Sequence, residues 1–117
     1  FNPVEFFCHS YGTILQGGFI TTMLDASMAF LVMQLVDFKK VPLSIDVNVN
    51  FLSSGGPKLT IAVARINKIG KSIAFSSADL FQDDELIATA SSSIKLKDFE
   101  SRNWIDDTIG KNVKIIR

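Results

Sequence analysis

The chain has 117 residues, of which 47% are hydrophobic, and its 12 basic and 12 acidic residues are mixed along its length. This length suits one compact domain with a single core. A net charge of zero excludes the broad positive field that attracts nucleic acid or anionic membranes. The only cysteine, Cys8, cannot form an internal disulfide, and the start lacks the pattern of a signal peptide. We therefore predict a cytoplasmic protein that binds no nucleic acid and does not insert into a membrane.

The first residues carry a weak secondary-structure signal. An Asn-Pro pair favours an extended start, and the stretch from Val4 to Ser10 is long enough for one strand. We predict an edge strand here. Gly17 and Gly18 then open the next element, and their missing side chains allow a ligand to approach the backbone N–H groups closely.

A long apolar segment follows these glycines and ends near Val36, with Asp25 as its single charge. The segment is long enough to cross a bilayer. A charge near mid-membrane costs about 2.5 kcal/mol or more, and the rest of the chain has a sheet-like pattern, so we predict a buried helix instead. Such a helix would be buried nearly all round, where a carboxylate needs specific partners. Asp25 is either a working carboxylate or one satisfied by the hydroxyls of Thr21 or Thr22, or by a second chain.

From Leu43 the apolar period changes to two, which predicts a strand with one apolar face. Its apolar residues are Ile45, Val47, Val49 and Phe51, and these alternate with Ser44, Asp46, Asn48 and Asn50. Three more strands follow at about residues 59–66, 72–81 and 86–96, separated by polar turns. Consecutive hairpins of this kind predict an antiparallel meander.

Small side chains on the last two strands would allow a long helix to pack close to the sheet. They are Ala74, Ser76, Ala78, Ala88, Ala90 and Ser92. We predict an α+β fold in which one long central helix is wrapped by a curved antiparallel sheet of five to six strands. This domain would cover residues 1–97, and residues 98–117 would form a C-terminal tail of unknown role.

Four short motifs follow one another along the chain, at residues 10–25, 44–52, 69–72 and 85–90. Their order resembles that of hotdog-fold acyl-CoA thioesterases of the phenylacetate-degradation (PaaI-like) group. The main motif of that family, N-x-x-G-x-x-H-G-G followed by T-L-x-D, resembles residues 10–25, and the whole resemblance covers roughly residues 10–96. It implies a hotdog fold, an acyl-CoA substrate, and a homodimer or a homotetramer built as a dimer of dimers.

The chain departs from the family motif at three positions. Gln16 stands where the family usually carries His, and Ser10 where it carries Asn. Thr13 occupies the place of a glycine, since Gly12 comes one position early. Gln and Ser still form hydrogen bonds, but Gln cannot titrate and Ser reaches less far. His9, beside Ser10, could offer an imidazole if the motif were shifted by one residue.

Thioester hydrolysis needs a polarised carbonyl and an activated water or a nucleophile. The backbone N–H of Gly17, at a helix N-terminus, suits a developing oxyanion. Asp25 could act as general base or as nucleophile. Eight residues of helix separate the two, about 12 Å at 1.5 Å per residue, which is too far for both to act on one carbonyl. The resemblance implies a dimer in which Gly17 of one chain meets Asp25 of the other.

Other candidate residues have weaker signals. Gln16 and Ser10 take the places of the polar pair of the family and could position the substrate. The resemblance implies that Ser44 lies near the attacking water, and an ordinary exposed serine is the alternative. The candidates for contact with the coenzyme A (CoA) part of the substrate are Gly18, Ser53, Ser54, Arg65, Lys68, Gly70 and Lys71. Lysines at a hairpin turn are otherwise simply solvated.

Taken together, these patterns predict an acyl-CoA thioesterase that hydrolyses a fatty or aromatic acyl-CoA. No His, Cys and acid cluster has metal-binding spacing, so we expect neither metal nor redox cofactor. One alternative is a non-catalytic acyl-CoA-binding hotdog protein, which the changes at Gln16 and Ser10 would suit. A less favoured alternative is a hydratase or dehydratase, in which His9 would be the catalytic histidine.

Overall fold

The computed structural model describes residues 1–98 of the chain. It contains one long helix, six strands and a short 3-10 turn. The elements in chain order are the 3-10 turn Glu5–Phe7, β1 Cys8–His9, β2 Ile14–Leu15, α1 Gly17–Leu35, β3 Lys40–Phe51, β4 Ile61–Ile69, β5 Ile73–Gln82 and β6 Glu85–Asp98.

Four strands form one antiparallel sheet in the order β3-β6-β5-β4, and β1 and β2 form a separate hairpin. The predicted curved sheet and central helix are confirmed, with the six strands divided between two sheets. β4, β5 and β6 make the expected meander, but β3 pairs with β6, so the prediction that all four strands follow one another as consecutive hairpins is wrong. The loop between β3 and β4, residues 52–60, is too long for a tight hairpin and leads the chain to the opposite edge of the sheet.

The predicted N-terminal edge strand is only partly present. Residues Glu5–Phe7 form a 3-10 turn, and only Cys8–His9 are extended as β1. Ser10, Tyr11 and Gly12 all have positive φ angles, from 54° to 77°. This left-handed turn reverses the chain, so that β1 pairs with β2 and not with the main sheet.

α1 packs on one face of the four-stranded sheet and contacts all of its strands. The buried helix residues are Ile20, Met23, Leu24, Met28 and Val32. The small residues of β5 and β6 lie beneath it, and Ala74, Ala78 and Ala88 are fully buried. Short side chains at the centre of the sheet let a helix of large residues approach closely, as the sequence predicted.

Burial of α1 is one-sided within a single chain, so the expectation of burial nearly all round is wrong. Thr22 and Ala26 are exposed, and the Phe30 side chain is 55% exposed. By length and composition alone α1 could span a bilayer, with 19 residues and a mean hydropathy of 1.4. Here its buried stripe packs on the sheet, and its opposite stripe is unpartnered within residues 1–98.

β6 continues to Asp98, one residue beyond the predicted domain boundary at residue 97. The predicted tail, residues 98–117, otherwise lies outside the described residues.

Candidate active site

The N-terminus of α1 is capped by a side chain. Gln16 is the N-cap residue, with an extended backbone (φ −70°, ψ 137°), and its Oε1 accepts a 2.6 Å hydrogen bond from the Gly18 N–H. A Cβ atom at Gly18 would lie 2.7 Å from that oxygen. A glycine at position 18 therefore leaves room for the capping side chain, because a larger residue would displace the Gln16 amide.

Gly17 is the first helical residue, and its N–H has no acceptor among residues 1–98. N–H groups in the first turn point outward along the helix axis, at the positive end of the dipole. Gly17 lines an open surface groove together with Leu15, Ile20, Phe51, Leu52, Ser53 and Ser54. The structure thus brings three predicted residues, Gly17, Ser53 and Ser54, to one groove with largely apolar walls.

Asp25 lies on the flank of α1 that faces β3 and is half-buried. Its Oδ1 accepts a 2.6 Å hydrogen bond from Ser44 Oγ. The hydroxyls of Thr21 and Thr22 donate instead to the backbone carbonyls of Gly17 and Gly18, each at 2.9 Å. The alternative in which these threonines satisfy Asp25 is therefore wrong, and its partner within the described chain is Ser44.

Ser44 reaches Asp25 because β3 contains a bulge at Ile45. Ser44 pairs with Ile94 of β6, and Asp46 pairs with the residue next to Ile94, which leaves Ile45 unpaired. Ile94 is fully buried on the side of the sheet that α1 covers, and cross-strand partners share a face. Strict alternation put Ser44 on the polar face with Asp46, and this prediction is wrong because the bulge adds one residue.

Gly17 and Asp25 belong to one unbroken helix, so the eight-residue spacing keeps them about 12 Å apart within a chain. Among residues 1–98, β3, which carries Ser44, is an edge strand with β6 on one side only. The Asp25–Ser44 pair therefore lies beside an edge of the described sheet, and Gly17 lies at the end of the same helix. The two halves of the predicted site, Gly17 and Asp25, therefore lie apart within a single chain.

Ser10 lies in the turn of the β1–β2 hairpin. Its Oγ is 3.0 Å from His9 Nδ1, and its carbonyl accepts a 2.6 Å hydrogen bond from Thr13 Oγ1. Phe7, not Ser10, is the residue beside Gln16, because the Phe7 carbonyl accepts the Gln16 N–H at 3.0 Å. The structure therefore places Ser10 and His9 at the hairpin turn, away from the start of α1.

The predicted CoA contacts Arg65, Lys68, Gly70 and Lys71 do not join Gly17 within one chain. The Lys71 carbonyl accepts a hydrogen bond from Lys40 at the start of β3. Gly17 lies at the other end of that strand, since a Cβ atom there would lie 3.2 Å from Phe51 Cζ.

β3 has 12 residues, so its ends are about 37 Å apart at 3.4 Å per residue. Arg65 is also engaged elsewhere, in a 2.9 Å ion pair with Asp79. None of these four residues lies near the groove of its own chain.

Two residues near the groove were not predicted. Phe51 covers Gly17, a contact between distant parts of the chain that no local pattern signals. Gln82 was read as part of a polar turn, but it is the last residue of β5 and only 3% exposed. The signal was available, because Gln82 continues the period-two series of inward residues that includes Ala78 and Leu80.

Residues 12–89, more than half of the chain, match the model of the thioesterase superfamily. The protein belongs to this superfamily. The search of curated proteins found no match.

Solved structures give the same fold. A phenylacetic acid degradation-related protein of Ralstonia eutropha JMP134 has 25% sequence identity and a TM-score of 0.77, over 81% of this chain and 71% of that chain. The BH2602 protein of Bacillus halodurans, solved with CoA, has 21% identity and a TM-score of 0.69, over 75% of this chain and 58% of that chain.

The thioesterase HI1161 of Haemophilus influenzae has 15% identity and a TM-score of 0.71, over 77% of this chain and 64% of that chain. At 15% and 21% identity, the likeness to the last two structures shows the hotdog fold alone.

Proposed function

We propose that the protein is an acyl-CoA thioesterase whose catalytic carboxylate is Asp25. One observation carries the proposal: Asp25 is held by Ser44 at 2.6 Å on a solvent-accessible flank of the central helix. A carboxylate in an otherwise apolar helix has no evident packing role there. Membership in the thioesterase superfamily supports hydrolysis as the reaction.

The chemistry uses two groups. The Gly17 N–H polarises the thioester carbonyl and stabilises the oxyanion that develops on it. Asp25 either removes a proton from the attacking water or attacks the carbonyl carbon itself to form an anhydride that water then hydrolyses. In both routes the C–S bond breaks, and water supplies the hydroxyl group of the acid product and the proton with which CoA leaves as the thiol. No metal or redox cofactor takes part in either route.

Two copies of the chain are needed to assemble this site. Within one helix the two groups are about 12 Å apart, but in an antiparallel pair of α1 helices Gly17 of each copy faces Asp25 of the other. The two-fold axis would then pass near Thr21, midway between them in sequence. The edge of β3, which no strand of residues 1–98 pairs with, and the exposed stripe of α1 support an interface on this side. A tetramer would be a dimer of these dimers.

The groove supports a fatty or aromatic acyl-CoA as substrate. Leu15, Ile20, Phe51 and Leu52 provide apolar walls beside Gly17. CoA is present in the Bacillus halodurans structure, which has the same fold. Ser53 and Ser54 are the proposed CoA contacts of the same chain. Lys68 and Lys71 could meet CoA phosphates only from another subunit.

A panel of acyl-CoA thioesters tests this function. Release of CoA is followed with a thiol-detecting reagent, and binding is followed separately by calorimetry with a nonhydrolysable acyl-CoA thioether. We expect CoA release from at least one fatty or aromatic substrate. Binding of the thioether without any CoA release would instead establish the non-catalytic acyl-CoA-binding alternative.

A further inference from the structure

Gln82, the last residue of β5, has a buried side-chain amide that is fully hydrogen-bonded. Its Oε1 accepts the Gly56 N–H at 2.9 Å, and its Nε2 donates to the Gly56 carbonyl at 3.0 Å and to Thr60 Oγ1 at 2.8 Å. The side chain thus holds both backbone groups of Gly56. A buried polar group with all its partners is rigid, and removing it leaves those partners unsatisfied.

The neighbouring residue, Gly55, connects the Gln82 amide to the segment that precedes α1. A Cβ atom at Gly55 would lie 2.9 Å from Gln82 Oε1 and 3.0 Å from Ile87 Cδ1, so only glycine leaves room for the amide. The Gly55 carbonyl accepts the Leu15 N–H at 2.8 Å. Leu15 comes two residues before Gly17. One buried amide therefore links the loop after β3 to the segment that enters the helix.

The loop is anchored at its start, because the N–H groups of Leu52 and Ser53 both donate to the Ile87 carbonyl, at 2.9 Å and 3.1 Å. Beyond Ser53 its position depends on the contacts of Gly55 and Gly56. No side chain from residue 51 to residue 59 is buried, so apolar packing contributes little to holding it. Ser54 lines the groove opposite Leu15 and Gly17, so its position relative to them depends on where Gln82 holds the loop.

We propose that Gln82 is a positioning residue that sets the width of the substrate groove by fixing the loop of residues 54–57 against the start of α1. The proposal rests on the proposed function, because the groove is the one that would hold the acyl thioester. Gly17 is also held by its own helix through the buried Ile20, whereas residues 54–57 lie beyond the backbone hydrogen bonds to Ile87 and have no buried side chain. Loss of the Gln82 amide should therefore weaken substrate binding more than it slows the chemical step.

The experiment compares two disrupting variants with one control. Gln82→Met keeps the side-chain length and removes every hydrogen bond of the amide. Gly55→Ala keeps Gln82 and adds a methyl group on the loop that displaces its amide. Ser76→Ala is the matched control on β5, because Ser76 is 1% exposed and its Oγ donates to the Arg65 carbonyl at 2.7 Å, away from the loop. Each variant is titrated with the acyl-CoA thioether by calorimetry and assayed for KM and kcat.

We expect Kd and KM to rise about tenfold in Gln82→Met and Gly55→Ala, as for the loss of one good hydrogen bond, with a smaller change in kcat. Ser76→Ala should leave both constants unchanged, since a general loss of stability lowers the active fraction and not the affinity. Unchanged Kd in either folded disrupting variant overturns the proposal. So does rapid amide hydrogen exchange at Gly56 in the wild-type protein, which needs no variant to fold. Wild-type protein that binds the thioether but hydrolyses no acyl-CoA contradicts only the proposed function.

Discussion

Ser44 Oγ donates a 2.6 Å hydrogen bond to Asp25 Oδ1 and so joins the edge strand β3 to the flank of α1. The second oxygen, Oδ2, has no hydrogen-bond partner among residues 1–98. One oxygen of the carboxylate is thereby held in place, and the other is available to a water molecule or a carbonyl carbon. This is the arrangement expected of a general base or nucleophile with a fixed orientation.

Replacing Asp25 by Asn should abolish most of the activity and keep the fold. The amide can still accept the Ser44 hydrogen bond, but it can neither take a proton nor attack the thioester, so kcat should fall about 100-fold or more. Steady-state assays and thermal melts measure the two effects. Asp37→Asn, at an exposed carboxylate just beyond α1, is the matched control and should behave as wild type. Unchanged kcat in Asp25→Asn would remove Asp25 from the mechanism.

Ser44→Ala should reduce kcat about tenfold, because a carboxylate that loses a charge-assisted hydrogen bond is less well oriented. KM should change little, since the proposed substrate contacts line the groove and Ser44 acts through Asp25. Ser44→Thr keeps a hydroxyl at the same position and should recover part of the rate. Equal losses in the Ala and Thr variants would show that packing, and not the hydrogen bond, is responsible.

The bulge at Ile45 offers an independent check on Ser44. Deleting Ile45 makes Ser44 and Asp46 neighbours in the chain, so a regular ladder still pairs Ser44 with Ile94 on the face of the sheet that α1 covers. The deletion should therefore keep most of kcat, whereas Ser44→Ala lowers it. Adding Ser44→Ala to the deletion should lower kcat about tenfold, as it does in the wild-type chain, and a tenfold loss from the deletion alone would show that the bulge itself is needed to orient Ser44.

Two inactive variants should restore activity when they are mixed, if Gly17 and Asp25 act from different chains. Gly17→Pro removes the N–H, and Pro suits the first helical position after the extended Gln16, provided that the exposed Phe51 ring moves by a few tenths of an ångström. In a heterodimer with Asp25→Asn, one of the two sites regains both groups. Random exchange of subunits should then recover about a quarter of wild-type activity.

The mixing experiment is run by combining the purified variants, allowing subunit exchange and following activity with time. The double variant Gly17→Pro/Asp25→Asn mixed with wild type is the control, since its heterodimers hold no more than one intact group at each site. No recovery, with exchange verified by mass spectrometry of tagged chains, would place both groups of each site in one chain.

Gln16 should contribute to stability through its oxygen. Gln16→Ala removes the cap on the Gly18 N–H and should lower the free energy of unfolding by about 1 kcal/mol. Gln16→Glu keeps an acceptor and adds a negative charge at the positive end of the helix dipole, so it should be at least as stable as wild type. Urea denaturation measures both. If Gln16→Ala is as stable as wild type, the cap has no energetic role.

Part of the site could be predicted from local pattern alone. The start of α1 at Gly17, the single charge at Asp25 and their separation follow from helical periodicity and the rise per residue, which are local properties. Together with the family resemblance they predict a site shared between two copies, and this stays a prediction. The role of Gln16 as an acceptor in the cap could not be read from the motif, because the direction of its amide depends on the backbone around Gly18.

The sequence by itself determined the central helix, the period-two strands, the small residues beneath the helix and the wide separation of Gly17 from Asp25. The tertiary structure decided that β3 pairs with β6, that the bulge at Ile45 turns Ser44 to Asp25, and that Gln82 is buried against the loop. Periodicity shows which residues lie on the same face of a helix or strand, whereas strand order and register depend on contacts between residues far apart in the chain. For the same reason, only the folded chain shows that Lys68 and Lys71 lie at the far end of the sheet from Gly17.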